Sequence, residues 1–368
     1  MKFRAMAAAA LAATLGLTAP ASAQDPAKGG DLVVAMAVTL PSVDPHASTG
    51  VATRYVSAHM FEGVVTRGET GDIIPQLAAS YEMSDDARTY TFTLRDGVRF
   101  HDGSTLDAGD VVASLQRMKD AGVDQGVMAL VENLEAVDDL TVRVTMSEPH
   151  PTFLDSLSSP RVIVGIMPEE IAALPKEEFK PVGTGPFEFV EWVPDSHIRL
   201  ARFEAYSQQA EATPRDGFGG KRTVYVDTVT FRTVPEAGAQ IAGLLTGDYH
   251  IADQVSPQDV PRLEASDEVS AVKVLPWYMV HQTFNLTKPL GADEYFRKAV
   301  QVGLDLEVLL DFATGGNYVL GHGWQYDGFP YYSDAGIETY NLGDVDKAKE
   351  LLAQSAYDGE EIEILTIS

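Results

Sequence analysis

The stretch from Pro75 to Val112, PQLAASYEMSDDARTYTFTLRDGVRFHDGSTLDAGDVV, chains a strand, two turns and a helix start with no catalytic signature inside it. Tyr90, Phe92 and Leu94 alternate with threonines, which predicts a strand with its apolar side chains on one face. Arg95-Asp96-Gly97 turns the chain, Val98 and Phe100 resume the alternation, and His101-Asp102-Gly103-Ser104 turns it again. Asp107 with Asp110 three residues later has the pattern of an N-cap with an acidic partner in the first turn. The helix that follows carries Val111, Val112, Leu115 and Met118 at helical spacing, so one stripe faces a core while Gln116 and Lys119 face water.

The order of this string resembles the extracytoplasmic solute-binding proteins of the peptide/oligopeptide/nickel ABC importer family, family 5. The resemblance extends to Val43-Asp44-Pro45-His46, to the run from Pro181 to Phe187, to Phe284-Asn285, to Phe296-Arg297-Lys298-Ala299-Val300 and to Leu304-Asp305. Asp107 and Gly109 stand where that family often has Thr and Glu, Gly303 where Ala is usual, and Leu306 where a basic residue is usual. The two glycines bear on helix stability more than on ligand choice.

Residues 1–23 carry Lys2 and Arg4, an apolar run and Ala21-Ser22-Ala23, the pattern of a secretory signal whose apolar core is too short for a membrane anchor. With no cysteine there is no disulfide and no lipid-modified cysteine, so the expected location is the periplasm. Asp and Glu number 54 against 27 Lys and Arg, a net charge of −27 that becomes −29 once Lys2 and Arg4 leave with the signal. Such a field repels phosphate, which argues against nucleic acid as a partner, and it serves solubility first.

The 345 residues left after the signal (368 minus 23) exceed one core. The resemblance implies an α/β, type II periplasmic binding protein fold of two lobes and three domains. In that division, 24–46 and 183–275 form domain I, 47–182 domain II, and 276–368 an incomplete domain III. Within it the sequence predicts a strand from Asp31 to Val38, a helix from Tyr55 to Phe61, and a strand through Leu140, Val142, Val144 and Met146. A hairpin through Phe187, Phe189, Ile198 and Leu200 follows, then a strand at Val229 and Phe231 and a helix through Ile241 to Leu245 stopped by Gly247. A strand ending in Phe284-Asn285 comes next, then three helices: one with Phe296, Ala299 and Val300, one capped by Asp305, and one with Ala348, Leu351 and Leu352. A last strand begins at Glu361, and its position at the end of the sequence reads as truncation, because a final strand needs ladder neighbours.

Four constellations could carry chemistry. His101-Asp102 suits a cation or a proton relay, yet a polar pair in a Gly-containing turn before a capped helix is ordinary turn chemistry. The eight histidines show no zinc-ligand spacing, and Gly183-Thr184-Gly185-Pro186 lacks the Lys-Ser/Thr ending of a phosphate loop, so it reads as a tight crossing between domains. Trp277, Tyr278, His281 and Trp324 offer flat aromatic area for a ligand closed between lobes, with core or hinge packing as the competing reading. The resemblance implies that Thr39 and Leu40 meet an extended ligand by strand-like pairing and that Met128 lies near a ligand-facing stretch. It also implies a receptor rather than an enzyme, without cofactor, acting as a monomer that passes a peptide or related small solute to the transmembrane subunits of an ABC permease. Receptors for a nickel chelate, an opine or another non-peptide solute are the alternative within the class, and a secreted hydrolase the alternative outside it.

Overall fold

The computed structural model describes residues 26–123, 125–209, 214–253, 255–256, 259–275 and 279–365. The first part of the chain carries β1 (Asp31–Met36), α1 (Val51–Met60), β2 (Val65–Arg67), β3 (Ile73–Pro75), β4 (Ala78–Met83), β5 (Thr89–Leu94) and α2 (Ala108–Ala121). It continues through β6 (Val131–Asp138), β7 (Thr141–Met146), α3 (Phe153–Leu157), α4 (Glu169–Ala172), β8 (Phe187–Val193) and β9 (His197–Arg202). Then come β10 (Thr228–Thr233), α5 (Ala237–Thr246), β11 (Ile251–Ala252), α6 (Val260–Glu264), α7 (Pro289–Ala292), α8 (Glu294–Gly303), α9 (Leu306–Thr314) and α10 (Val345–Leu352).

Two sheets organise these elements. A five-stranded mixed sheet has the order β11-β1-β10-β9-β8, with β1 parallel to both neighbours, and so joins residues 31–36 to strands that lie more than 150 residues later. A four-stranded antiparallel sheet has the order β4-β5-β7-β6. Each sheet has its own core. Tyr90, Phe92, Phe100, Leu115, Val144 and Phe153 belong to one, and Met36, Val56, Phe61, Leu200, Val229 and Phe231 to the other.

Local signals set most of these elements. Tyr90, Phe92 and Leu94 all point into the core from β5, as their alternation requires. At the start of α2, Asp107 Oδ1 accepts the N–H groups of Gly109 (2.7 Å) and Asp110 (3.2 Å), and Asp110 Oδ2 accepts that of Asp107 (3.0 Å), a reciprocal capping box. At the far end of α5, Gly247 adopts φ 79°, the left-handed cap its position predicts. The crossing at Gly183-Thr184-Gly185 is tight: a Cβ on Gly183 would stand 2.2 Å from the Met60 carbonyl oxygen, and one on Gly185 2.5 Å from that of His59.

The structure corrects four expectations. The α1 helix begins at Val51, four residues before Tyr55. Val98 and Phe100 are buried but form no strand, since only an isolated bridge between Arg99 and Thr105 pairs there. Residues 279–285 form no strand either: Asn285 instead closes a turn, its side chain accepting the Thr287 N–H (3.0 Å) and its carbonyl that of Lys288 (3.2 Å). The described part of the last predicted strand, 361–365, is not a strand, and Ile364 and Leu365 are exposed.

Candidate functional site

Three parallel strands end side by side at one edge of the five-stranded sheet. The connection from β10 runs through α5 to β11 at one side, whereas β1 leads through α1 and on to β8 at the opposite side. In open α/β sheets the carboxyl ends of strands whose connections part in this way form the crevice where ligands sit. The edge is well fixed. Val234 N–H donates to the Met36 carbonyl (2.8 Å), the Gln240 amide to the Val234 carbonyl (2.7 Å), and Asp253 N–H to the Ala35 carbonyl (3.1 Å).

Beyond β1, Val38 and Thr39 are exposed. Tyr55 on α1 reaches the same edge: burial first, and then the nearby Asp253 carboxylate, raise its phenol above the usual range. Tyr55 and Asp253 were not legible as site residues in the sequence, because neither sits in a motif and only the β1–β11 pairing brings Asp253 to this edge. At this edge the Tyr55 hydroxyl and Asp253 Oδ2 are buried, next to the exposed Val38–Thr39 segment.

Leu40 continues the Val38–Thr39 segment, and the other predicted residues lie elsewhere. Leu40 is buried in the core of the five-stranded sheet and Met128 in that of the four-stranded sheet, so neither side chain faces an open surface. His281 and Trp324 come together with ring centroids 5.0 Å apart, and both are exposed. Trp277 and Tyr278 lie outside the described residues.

The remaining motif residues act as staples. Arg117 forms two hydrogen bonds to Asp44, Nη1 to Oδ1 (3.0 Å) and Nη2 to Oδ2 (2.6 Å), with both side chains buried, and its guanidinium lies 5.1 Å from the Phe179 ring centroid. Asp44 also accepts the His46 N–H (2.9 Å), which joins the loop after β1 to α2. Burial, with Arg117 second, lowers the pKa of His46 to about 4 and keeps its ring neutral. His101 Nδ1 accepts the Gly183 N–H (3.2 Å), so its proton is on Nε2, which donates to the Gly185 carbonyl (3.0 Å). This is the turn role rather than a proton relay, and burial lowers the pKa of His101 as well. Arg222 pairs with the buried Glu62, and Tyr206 donates to the same carboxylate oxygen (3.0 Å).

Beside the Asp44 loop a cleft of about 660 Å³ opens between Pro41, Phe179, Pro181, Glu188 and Trp192, and burial raises the pKa of Glu188. Among the described residues no group of three or more His, Asp or Glu is placed to hold a metal ion, and no helix is long and apolar enough to cross a membrane.

Residues 72–368 match the family described as Bacterial extracellular solute-binding proteins, family 5 Middle. The glutathione-binding protein GsiB of Pectobacterium atrosepticum is 28% identical over 346 residues, which cover 93% of this chain and 64% of the relative. Among solved structures, the oligopeptide-binding protein AppA of Bacillus subtilis, in complex with a nonapeptide, superposes with TM-score 0.69 at 25% identity, over 89% of this chain and 64% of that one. AgaA of A. tumefaciens R10, in complex with agropinic acid, superposes with TM-score 0.66 at 27% identity, over 88% of this chain and 64% of that one. The chain thus spans less than two thirds of the length of these relatives.

Proposed function

The chain belongs to the bacterial extracellular solute-binding proteins of family 5, and from that premise we propose that it is the capturing component of an ABC importer, closing two lobes on a peptide-like solute and handing it to the permease outside the inner membrane. The observation that carries this reading is the sheet edge where β1, β10 and β11 end with Thr39 exposed and Tyr55 and Asp253 beside it. An extended peptide would pair with the Val38–Thr39 backbone as an added strand, and the Asp253 carboxylate with the Tyr55 phenol would receive its N–H donors or an ammonium group. His281 and Trp324 would contribute an aromatic wall from the other lobe. The binding step makes and breaks no covalent bond: solute that touches both lobes shifts the population toward the closed form.

In this reading the five-stranded sheet unites 24–46 with 183–275 as one domain, 47–182 carries the four-stranded sheet as a second while Val56 of its α1 and Phe61 just after it pack into the core of the first, and 276–368 opens the third. The predicted signal in residues 1–23 would bring the protein to the periplasm. An opine-like solute is a second reading, favoured by the likeness to AgaA in complex with agropinic acid.

Thermal-shift titration of the purified chain against glutathione, tri- to pentapeptides, agropinic acid and nickel–histidine tests both readings. A rise in Tm with peptides, reduced by Asp253→Asn, supports the proposal; a rise with agropinic acid or nickel–histidine and none with any peptide overturns its peptide part.

A further inference from the structure

A contact outside the solute edge joins two parts of the chain that are distant in sequence. Residues 326–333 form an ordered loop. Phe329 N–H donates to the Tyr326 carbonyl (3.1 Å), Tyr332 N–H to that of Phe329 (3.3 Å), and the His322 ring bonds the Ser333 carbonyl through Nε2 (2.9 Å). Its tip rests on the turn between β2 and β3 and on α3. Phe329 and Pro330 cover Gly71 so closely that a Cβ there would stand 2.8 Å from Phe329 Cδ1 and 3.2 Å from Pro330 Cδ. Gly71 has φ 84°, so its position asks for glycine on two counts, backbone conformation and space.

Next to it, the Tyr331 hydroxyl donates to Asp155 Oδ2 (3.0 Å). Asp155 Oδ1 pairs with Arg67 Nη2 (2.7 Å), and Arg67 also donates to the Gly71 carbonyl (2.7 Å) and to the Asp155 carbonyl (3.1 Å). One arginine therefore holds together the turn under Phe329 and the carboxylate that receives Tyr331. Tyr331 itself has φ 66°, a left-handed conformation that costs energy for a bulky side chain and persists only where surrounding contacts impose it. Tyr331 is 68% exposed, so burial does not impose that conformation. The hydroxyl–carboxylate bond and the seating of Phe329 and Pro330 are the contacts made at the loop tip.

We propose that residues 326–333 are a latch: Phe329 and Tyr331 fasten the segment after residue 276 to the β2–β3 turn and α3, and bias the two lobes toward the closed arrangement before solute arrives. The inference rests on the two-lobed reading above, but its test needs no solute. In a hinge protein such a contact sets the closed population in the empty state, and hence how much binding energy closure still requires.

The chain contains no cysteine, so a pair introduced at Glu69 and Asp334, both exposed, carries spin labels at those two sites alone. Double electron–electron resonance on the solute-free protein then reads the distance across the latch. The expected result is a dominant short distance, with Tyr331→Phe raising the ratio of long to short distances about fivefold, the scale of one hydrogen bond to a charged group discounted for its exposure. Phe329→Ala should raise it further. Tyr331→Phe removes a single exposed oxygen and leaves folding intact, which circular dichroism verifies. Identical distance distributions in the parent and both variants, or a long distance in the parent, overturn the latch. Either outcome leaves the solute-binding proposal standing, because that proposal is read by thermal shift with added solute.

Discussion

Replacing Arg117 by Ala should be among the most damaging single changes to the first half of the chain. Its guanidinium and the Asp44 carboxylate are 6% and 4% exposed and share two charge-assisted bonds, so the variant leaves a carboxylate buried with the His46 N–H as its remaining donor in that network. Breaking a buried pair from one side costs about 3–5 kcal/mol. The orphaned group can escape by taking up a proton, which for an ordinary carboxyl at pH 7 costs about 4 kcal/mol and so caps the electrostatic part. Loss of the stacked contact on Phe179 adds about 0.5–1 kcal/mol. The expected loss is therefore about 3–5 kcal/mol, read as a fall in urea midpoint of more than about 1 M at a slope of roughly 1–3 kcal/mol/M. Asp44→Asn combined with Arg117→Met keeps an acceptor for the His46 N–H and fills the arginine stem, and should come within about 2 kcal/mol of the parent. A single variant within about 1 kcal/mol of the parent, or a double variant less stable than the single, would show that the buried pair does not carry this stability.

Acid should weaken the fold through its buried histidines. The His46 pKa falls from 6.5 to about 4, so below pH 6.5 the unfolded chain takes up a proton that the folded chain refuses. Stability is then complete above pH 6.5 and declines as the pH drops toward 4, by up to about 3 kcal/mol from this residue. His59 and His101, lowered by burial too, act with the same sign. Tm measured from pH 7.5 to 4 should fall, and His46→Asn should flatten the curve; a flat parent curve contradicts this. Asp107→Ala removes the acceptor for two first-turn N–H groups of α2 and should cost about 1 kcal/mol by urea unfolding, with Asp107→Ser nearly neutral.

What was legible in the sequence were features written within about a dozen residues: the alternation of β5, the capping box of α2, the Gly247 cap and the hairpin of β8 and β9. Features that depend on distant partners were not. β6 escaped because its burial follows no alternation, and only pairing with β7 makes it a strand. Arg117 sits on the buried side of α2, a placement that makes sense only with Asp44, which lies 73 positions away. Conversely, Phe284-Asn285 and 361–365 carry strand-forming residues but no ladder partner among the described residues, and periodicity cannot supply one. At the candidate site the sequence marked Thr39, which is exposed at the strand edge. Met128 illustrates its limit, because an apolar residue near a ligand-facing stretch has the same spelling as a core residue. Tyr55 and Asp253 meet through the sheet alone, across almost 200 residues.

The most direct test of solute capture is native mass spectrometry of the purified chain mixed with a library of glutathione and short peptides. Solute capture predicts a one-to-one complex with a subset of peptides, lost or weakened in Asp253→Asn; absence of any peptide complex from a chain that remains folded would rule out peptide capture.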